Sequence, residues 1–556
     1  MTIIVSNDYL QIMRGRKVSL AKYRFPAAVA HIRAPAANDD ENSQSMVSEK
    51  SAKRNYLTDS VASTFRTLVA GVAALIVNPF VIRSLSDEQY SGWTIALSIG
   101  AYVSFAETGI GTAVIRFVSP DPTGRSSSST GFVSSALVFA SLAGVAAMAV
   151  VGSLVVFSSL LFGNAPQSLH PNLRVAAGLC MVSGFFGLWT SVANGYFAAL
   201  HQTVTSALIS TGTAIVSGIA MVYVAGRYRS IFSLAATIAS VGLLQAGALL
   251  FVTGRRSGGG RIQLFRANRN ALGSIWSHCL GTGWWSLSML LIGGLDLFVV
   301  ARVDFVNVGS YGIAVRLVGL VFGLMAAATT PLMTIASRTA ATQDSAAVSR
   351  LLLQSTRITN CANALLGGVL FTAAPTIVRF YAGERYGQTG SMLLRLLLIG
   401  HLIRQMGGSL GLVMVATGEH RKAVIPPIVE GLTNLAVSIA LGSLIGAAGV
   451  AIGTVGGAIV SLVLYNLVVF PKLRAFEVRP RTFVVEGVLP SLMVFAPALV
   501  VGLLFRPSTL FAVILTTLEL GVATALFFRF GLKRDERHAV VYTVRSRFQN
   551  NLANKL

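Results

Sequence analysis

Charge is what this sequence has least of. Only 12% of its 556 residues are Asp, Glu, Lys or Arg, about half of the ~25% usual in soluble globular chains. So few charges cannot cover a soluble surface, and this excludes a disordered, fibrous or nucleic-acid-binding protein as the main reading. Cysteine is scarce too. Cys180, Cys279 and Cys361 are scattered in or beside apolar runs, so neither a zinc site nor a disulfide framework is expected, and no metal. There is no GxxxxGK[ST] phosphate loop and no HExxH, and the seven histidines do not cluster. ATP hydrolysis and zinc-protease chemistry are therefore not expected, nor is any bound cofactor. Residues 1–56 lack the short basic start, apolar core and cleavage site of a signal peptide.

What is abundant is apolar residue and glycine. Hydrophobic types make up 53% and glycine contributes 54 residues, with a mean hydropathy of +0.68. From residue 60 onward, apolar stretches alternate with short turns. Each stretch is about 20 residues, the length a helix needs to cross ~30 Å of hydrocarbon. The pattern predicts an all-α polytopic membrane protein of about 14 transmembrane helices. They fall near 60–82, 93–115, 131–160, 175–198, 204–225, 231–253, 280–300, 309–335, 358–378, 392–416, 424–445, 447–470, 484–505 and 508–528.

The net charge of +23 would suggest nucleic acid on a soluble chain. Its distribution gives a different cause. With the N-terminus in the cytoplasm, the cytoplasmic short loops hold sixteen basic residues and the opposite loops eight; nine more precede the first helix and seven run from Arg529 to the end. This is the positive-inside bias. It predicts a multi-pass inner-membrane protein with both termini cytoplasmic and no nucleic-acid partner.

A shift of 218 residues places Trp93, Ala96 and Ile99 on Tyr311, Ala314 and Leu317, as in transporters built from repeated helical units. The expected organisation is a polar cytoplasmic extension at 1–56, a six-helix lobe at 57–253 and a basic cytoplasmic connector at 254–279. A second six-helix lobe at 280–470, an additional helix pair at 471–530 and a basic tail at 531–556 follow.

Charges inside the apolar stretches are the functional candidates, because a charge at membrane depth faces a bundle interior or a wet cavity. They are Arg66, Glu107, Asp296, Arg316, Arg404 and Glu430. Glu519 is central in the last helix, outside the two lobes. Arginines in a cavity suit a phosphate-bearing substrate, since guanidinium pairs bidentately with phosphate oxygens. The acidic residues would balance the cavity, or bind a proton or cation whose gradient powers transport. Structural ion pairing between helices is the alternative for each.

Three segments carry a family resemblance. They are NPFVIRSLSDEQYSGWTIALSIGAYVSFAETGIGTAVIRFVS at 78–119, LDLFVVARVDFVNVGSYGIAVRLVGLV at 295–321, and MVATGEHRKAVIPPIVEGLTNLAVSIALGSLIGAAGVAIGTVGGAIV at 414–460. Asp296, Gly309, Tyr311, Arg316 and Asn434 stand at positions such proteins often use. The chain resembles the polysaccharide and lipid-linked oligosaccharide flippases of the multidrug/oligosaccharidyl-lipid/polysaccharide (MOP) exporter superfamily. The resemblance implies two six-helix lobes in a MATE-like arrangement around a central cavity, followed by a C-terminal helix pair. It implies a secondary-type transporter rather than an enzyme. The cargo would be a polyprenyl-pyrophosphate-linked glycan for exopolysaccharide, capsule or O-antigen assembly, flipped without ATP and with proton or sodium coupling. Arg66, Arg316 and Arg404 would contact the pyrophosphate, and the partners would be membrane lipids with polymerase and glycosyltransferase machinery. The alternatives are a multidrug or toxic-compound cation antiporter and a lipid II flippase.

Overall fold

Apolar runs of this length have one way to satisfy their backbone groups in lipid, which is to hydrogen-bond within themselves as helices. The computed structural model describes residues 65–67, 69–107, 109–119, 126–156, 166–256, 267–504 and 509–538. The extension at 1–56, residues 257–266 of the connector and the tail from 539 lie outside the described residues. The chain divides into two compact units, one of Ala62–Gly531 and one of Met1–Val61 with Leu532–Leu556. Of the second, the described part is a short helical turn in which Glu536 caps the backbone N–H of Lys533 at 2.6 Å.

The first unit is all helix among the described residues. It begins with α1 (Phe65–Ser84), α2 (Asp87–Ser104), α3 (Ile110–Val118) and α4 (Ser127–Val156). Then come α5 (His170–Ala199), α6 (Thr203–Tyr228), α7 (Ile231–Arg256), α8 (Arg269–Met289) and α9 (Asp296–Val303). The long α10 (Val308–Ala341) is followed by α11 (Ser345–Thr372), α12 (Ala374–Ala382), α13 (Gly387–Gln405) and α14 (Gly408–Ala416). The remaining helices are α15 (Ile425–Ile445), α16 (Ala447–Leu464), α17 (Leu489–Leu504) and α18 (Thr509–Leu526). Twelve helices among the described residues are long and apolar enough to cross a membrane, or thirteen with α11 and α12 taken as one bent span. Large apolar side chains face outward along them, such as Leu208 at 69% and Leu444 at 77% exposure, as lipid-facing surfaces do.

The stretch expected as one helix at 93–115 is broken. A 3-10 turn, Phe105–Glu107, ends α2, and Gly109 at φ +86° starts α3. That left-handed conformation suits glycine, and the break sets Glu107 where backbone bonding is interrupted. The seventh stretch is also composite, since α8 passes through a π turn, Leu290–Gly294, before α9. The helix begins at Arg269, so part of the 254–279 stretch is helical. Between α11 and α12 the axis bends by 67°, because Pro375 cannot donate its backbone nitrogen.

Glycine allows the closest helix contacts. A Cβ at Gly449 would lie 2.2 Å from the Leu441 carbonyl oxygen, and one at Gly453 would lie 2.2 Å from Ser438 Oγ, so α15 and α16 pack backbone to backbone. The ends of α2 and α10 meet in the same manner. Gly309 donates its N–H to Ser91 Oγ at 3.2 Å, and a Cβ on Gly312 would lie 2.4 Å from Thr94 Cγ2. Both pairs are 218 residues apart, the spacing of the repeat expected from the sequence.

Candidate functional site

The second half of the unit carries a buried polar centre. Asp296 opens α9 and is 5% exposed. It accepts hydrogen bonds from Asn434 Nδ2 at 2.9 Å, Thr454 Oγ1 at 3.1 Å and Tyr311 OH at 3.1 Å. Asn434 also donates to the Ile292 carbonyl at 2.6 Å, an oxygen within the π turn that leads into α9. Ser438 Oγ lies 3.1 Å from Asn434 Oδ1 and 3.2 Å from the Val450 carbonyl. Three donors from three different helices thus converge on one carboxylate. Asn434, Ser438, Thr454 and the Val450 carbonyl thereby form a connected polar network beside this carboxylate.

One turn before Asn434 on α15, Glu430 meets Arg404 of α13. Arg404 Nε lies 2.6 Å from Glu430 Oε1, with side-chain exposures of 20% and 4%. Arg404 Nη1 lies 3.5 Å from His401 Nδ1, and its Nη2 is buried without a partner among the described residues. The pair neutralises two charges at depth and leaves one guanidinium donor unused.

The other candidates sit apart from this centre. Arg316 of α10 donates to Asn78 Oδ1 of α1 at 2.6 Å, with Tyr90 OH at 3.5 Å. It lines a cavity of about 530 Å³ with Asn78, Trp93 and Tyr381. Arg66 and Glu107 line another, of about 500 Å³, with Thr112, Ser191, Asn194 and Ser206. The six residues singled out by sequence thus occupy three places: Asp296 with Glu430 and Arg404, Arg316 by itself, and Arg66 with Glu107.

Three groups were not singled out by sequence. Ser438 and Thr454 complete the polar centre. The signal for Ser438 was there, since Glu430, Asn434 and Ser438 repeat every four residues along one face of an otherwise apolar helix. A second group closes the end where α2 and α10 meet. Arg385 pairs with Asp87 at 2.8 Å and donates to the carbonyls of Leu85, at 3.1 Å, and Ile82. Arg83 donates to the Phe380 carbonyl at 2.8 Å. A third group lies at the opposite end, where a cleft of about 800 Å³ is lined by Arg116, Arg269, Arg421, His278 and His420 and, among the described residues, by no carboxylate. Among the described residues, no cluster of three or more His, Cys, Asp or Glu is placed to hold a metal.

No protein-family model and no curated protein matches this sequence. Solved structures do match its fold. The lipid II flippase MurJ in an inward closed conformation superposes with a TM-score of 0.64 at 16% identity, covering 85% of this chain and 99% of that one. An inward-facing MATE family multidrug resistance transporter of the MOP superfamily gives 0.52 at 14% identity, covering 72% and 92%. A MOP superfamily transporter from Pyrococcus furiosus, described as having a binding pocket of reversed polarity, gives 0.52 at 15%, covering 73% and 93%. The chain is a polytopic all-α membrane protein whose fold resembles that of MOP-superfamily exporters. Among these three the similarity extends furthest with MurJ.

Proposed function

We propose that this chain is a flippase that moves a polyprenyl-pyrophosphate-linked glycan across the inner membrane. The observation that carries this reading is the cleft of Arg116, Arg269, Arg421, His278 and His420, which contains no carboxylate among the described residues. A cationic mouth of this kind attracts a pyrophosphate and repels the lipophilic cations that a drug antiporter exports. The greater extent of the likeness to MurJ favours lipid II as the cargo. The precursor of an exopolysaccharide, capsule or O-antigen is the second reading, supported by the sequence segments at 78–119, 295–321 and 414–460.

On this reading there are fourteen crossings, with α2–α3, α8–α9, α11–α12 and α13–α14 each counted as one interrupted span. They form two six-helix lobes related by the 218-residue shift, followed by the pair α17 and α18. The charge bias puts the arginine cleft on the cytoplasmic side and the Asp87–Arg385 contact on the outer side. The headgroup enters from the cytoplasm and meets the spare Nη2 of Arg404, with Arg316 and Arg66 along its path. Asp296 and the polar network beside it seat the coupling cation or proton. Rocking of the lobes then separates the Asp87–Arg385 end and releases the headgroup outside.

Proteoliposomes carrying the purified protein, supplied with a labelled polyprenyl-pyrophosphate glycan in one leaflet, test the reading directly. Translocation is expected, with lipid II favoured over other headgroups. Replacing Arg116, Arg269 and Arg421 together by Gln should slow it by about tenfold or more, since one charge-assisted contact is worth ~1.5–3 kcal/mol. Absence of movement for every pyrophosphate-linked glycan, with export of a lipophilic cation instead, would overturn the proposal.

A further inference from the structure

Glu519 is the second deeply buried acid whose surroundings are unlike those of a paired charge. It lies midway along α18 and is 3% exposed, as buried as Glu430. Neither of its carboxylate oxygens has a hydrogen-bond partner among the described residues. The space it occupies exists because residue 368 is glycine: a Cβ there would fall 3.1 Å from Glu519 Oε1 and 3.1 Å from Ala498 Cβ. The nearby core of Cys361, Ala364, Val494 and Ala523, with Leu365 and Phe495 against it, is apolar.

The charged groups around it are all engaged elsewhere or distant along the helices. α17 carries no ionisable residue and α18 carries no other. α11 contributes Arg350, Arg357 and Cys361; Arg357 Nε donates to the Gly531 carbonyl at 3.1 Å, and Cys361 packs against Gly531. In the π turn after α18, Arg529 is exposed. Arg395 of α13, which packs on α11, donates from Nε to the Phe371 carbonyl at 3.0 Å. An ionised carboxylate without a single donor, taken out of water, costs several kcal/mol. Glu519 has no donor among the described residues, so its surroundings favour the neutral acid. A lone carboxyl group without further oxygen donors makes no site for a metal cation.

Gly368 meets Glu519 while Cys361 meets Gly531, so α11 and α18 run antiparallel. One turn on from Glu519 toward the bend at Ala373 lie Thr516 on α18 and Thr372 on α11. Each has a buried hydroxyl oxygen without a partner among the described residues. Three unpartnered polar side chains therefore line facing helices between the middle of the bundle and the end that carries Arg385.

We infer that Glu519 is a proton-binding site in the α11–α17–α18 group, loaded and emptied along the hydroxyls of Thr516 and Thr372. The step is carboxylate plus one proton from water at that end giving the carboxylic acid, and its reverse. The site is separate from the Asp296 centre and does not depend on which glycan is carried.

Two measurements on the full-length protein in nanodiscs test it. Dicyclohexylcarbodiimide modifies protonated carboxyl groups in apolar surroundings. The Glu519 peptide should carry the adduct at mildly acidic pH, and labelling should fall by up to about tenfold per pH unit once the site begins to empty. Glu519→Gln should abolish the adduct, and Thr516→Val should slow its formation. Infrared difference spectra of the unaltered protein should show a buried carboxylic C=O band that disappears on alkalinisation and is missing in Glu519→Gln. A band and adduct that do not change with pH would mark a permanently neutral structural acid and overturn the inference. So would the absence of both.

Discussion

Ser91 and Gly309 are joined by a hydrogen bond of 3.2 Å although 218 residues separate them. The same shift relates Thr94 to Gly312, whose missing side chain lets the two helices touch. Both contacts thus join residues at the spacing of the repeat expected from the sequence. At such a close crossing one added methyl group acts on the relation between α2 and α10.

Gly312→Ala should therefore push α2 and α10 apart. A Cβ 2.4 Å from Thr94 Cγ2 cannot be accommodated without movement, at a cost of ~1–3 kcal/mol. A cysteine placed at Ser91 should become more reactive to a water-soluble maleimide in this variant. Adding Thr94→Ala should restore much of the protection.

The Asp87–Arg385 contact lies beside this crossing. Cysteines at both positions, cross-linked by an oxidant, should stop translocation in proteoliposomes, and a reductant should restore it. Continued transport in fully cross-linked protein would show that this end does not open.

Arg404 and Glu430 form a pair with little exposure. Removing one partner leaves a buried charge alone, so Glu430→Gln or Arg404→Ala should cost ~3–5 kcal/mol. Replacing both with apolar residues, as in Arg404→Met with Glu430→Leu, should recover most of that stability in thermal unfolding. Flipping should remain impaired in the double variant, since the spare guanidinium donor is gone.

Sodium or protons bound at Asp296 would appear as linkage. With the cation at about 100 times its Kd, stabilisation of ~2.7 kcal/mol is expected, read as a higher melting temperature than in choline. Asp296→Asn should remove the difference while keeping the fold, because an amide of the same shape can still meet Tyr311 and Thr454. An unchanged cation response in this variant would remove Asp296 from the coupling role.

Much of the fold was legible in the sequence because the bilayer imposes a length and a polarity on each crossing. Asp296, Glu430 and Arg404 stood out for the same reason, as charges in runs that otherwise exclude them. Their partners were less legible, since Arg404 and Glu430 lie 26 residues apart in sequence and meet because α13 and α15 both pack on α16. The break at Glu107 was hidden because the residues around Gly109 remain apolar enough for a continuous helix. Arg116, Arg269 and Arg421 read as ordinary loop charges, because charge bias reports which side of a membrane a loop occupies and not which loops converge.

The closure at Asp87 and Arg385 is shallow in energetic terms. Their side chains are 55% and 35% exposed, and an ion pair so open to solvent contributes only ~0–1 kcal/mol. The carbonyls of Ile82 and Leu85 add a modest further amount. On the proposed reading, and with these contacts alone holding that end, a latch of about 2–3 kcal/mol would keep one arrangement at roughly 97–99% occupancy and leave the other as a minor population. Cargo that binds the minor arrangement only a hundredfold more tightly, about 2.7 kcal/mol, is then enough to bring the two into balance.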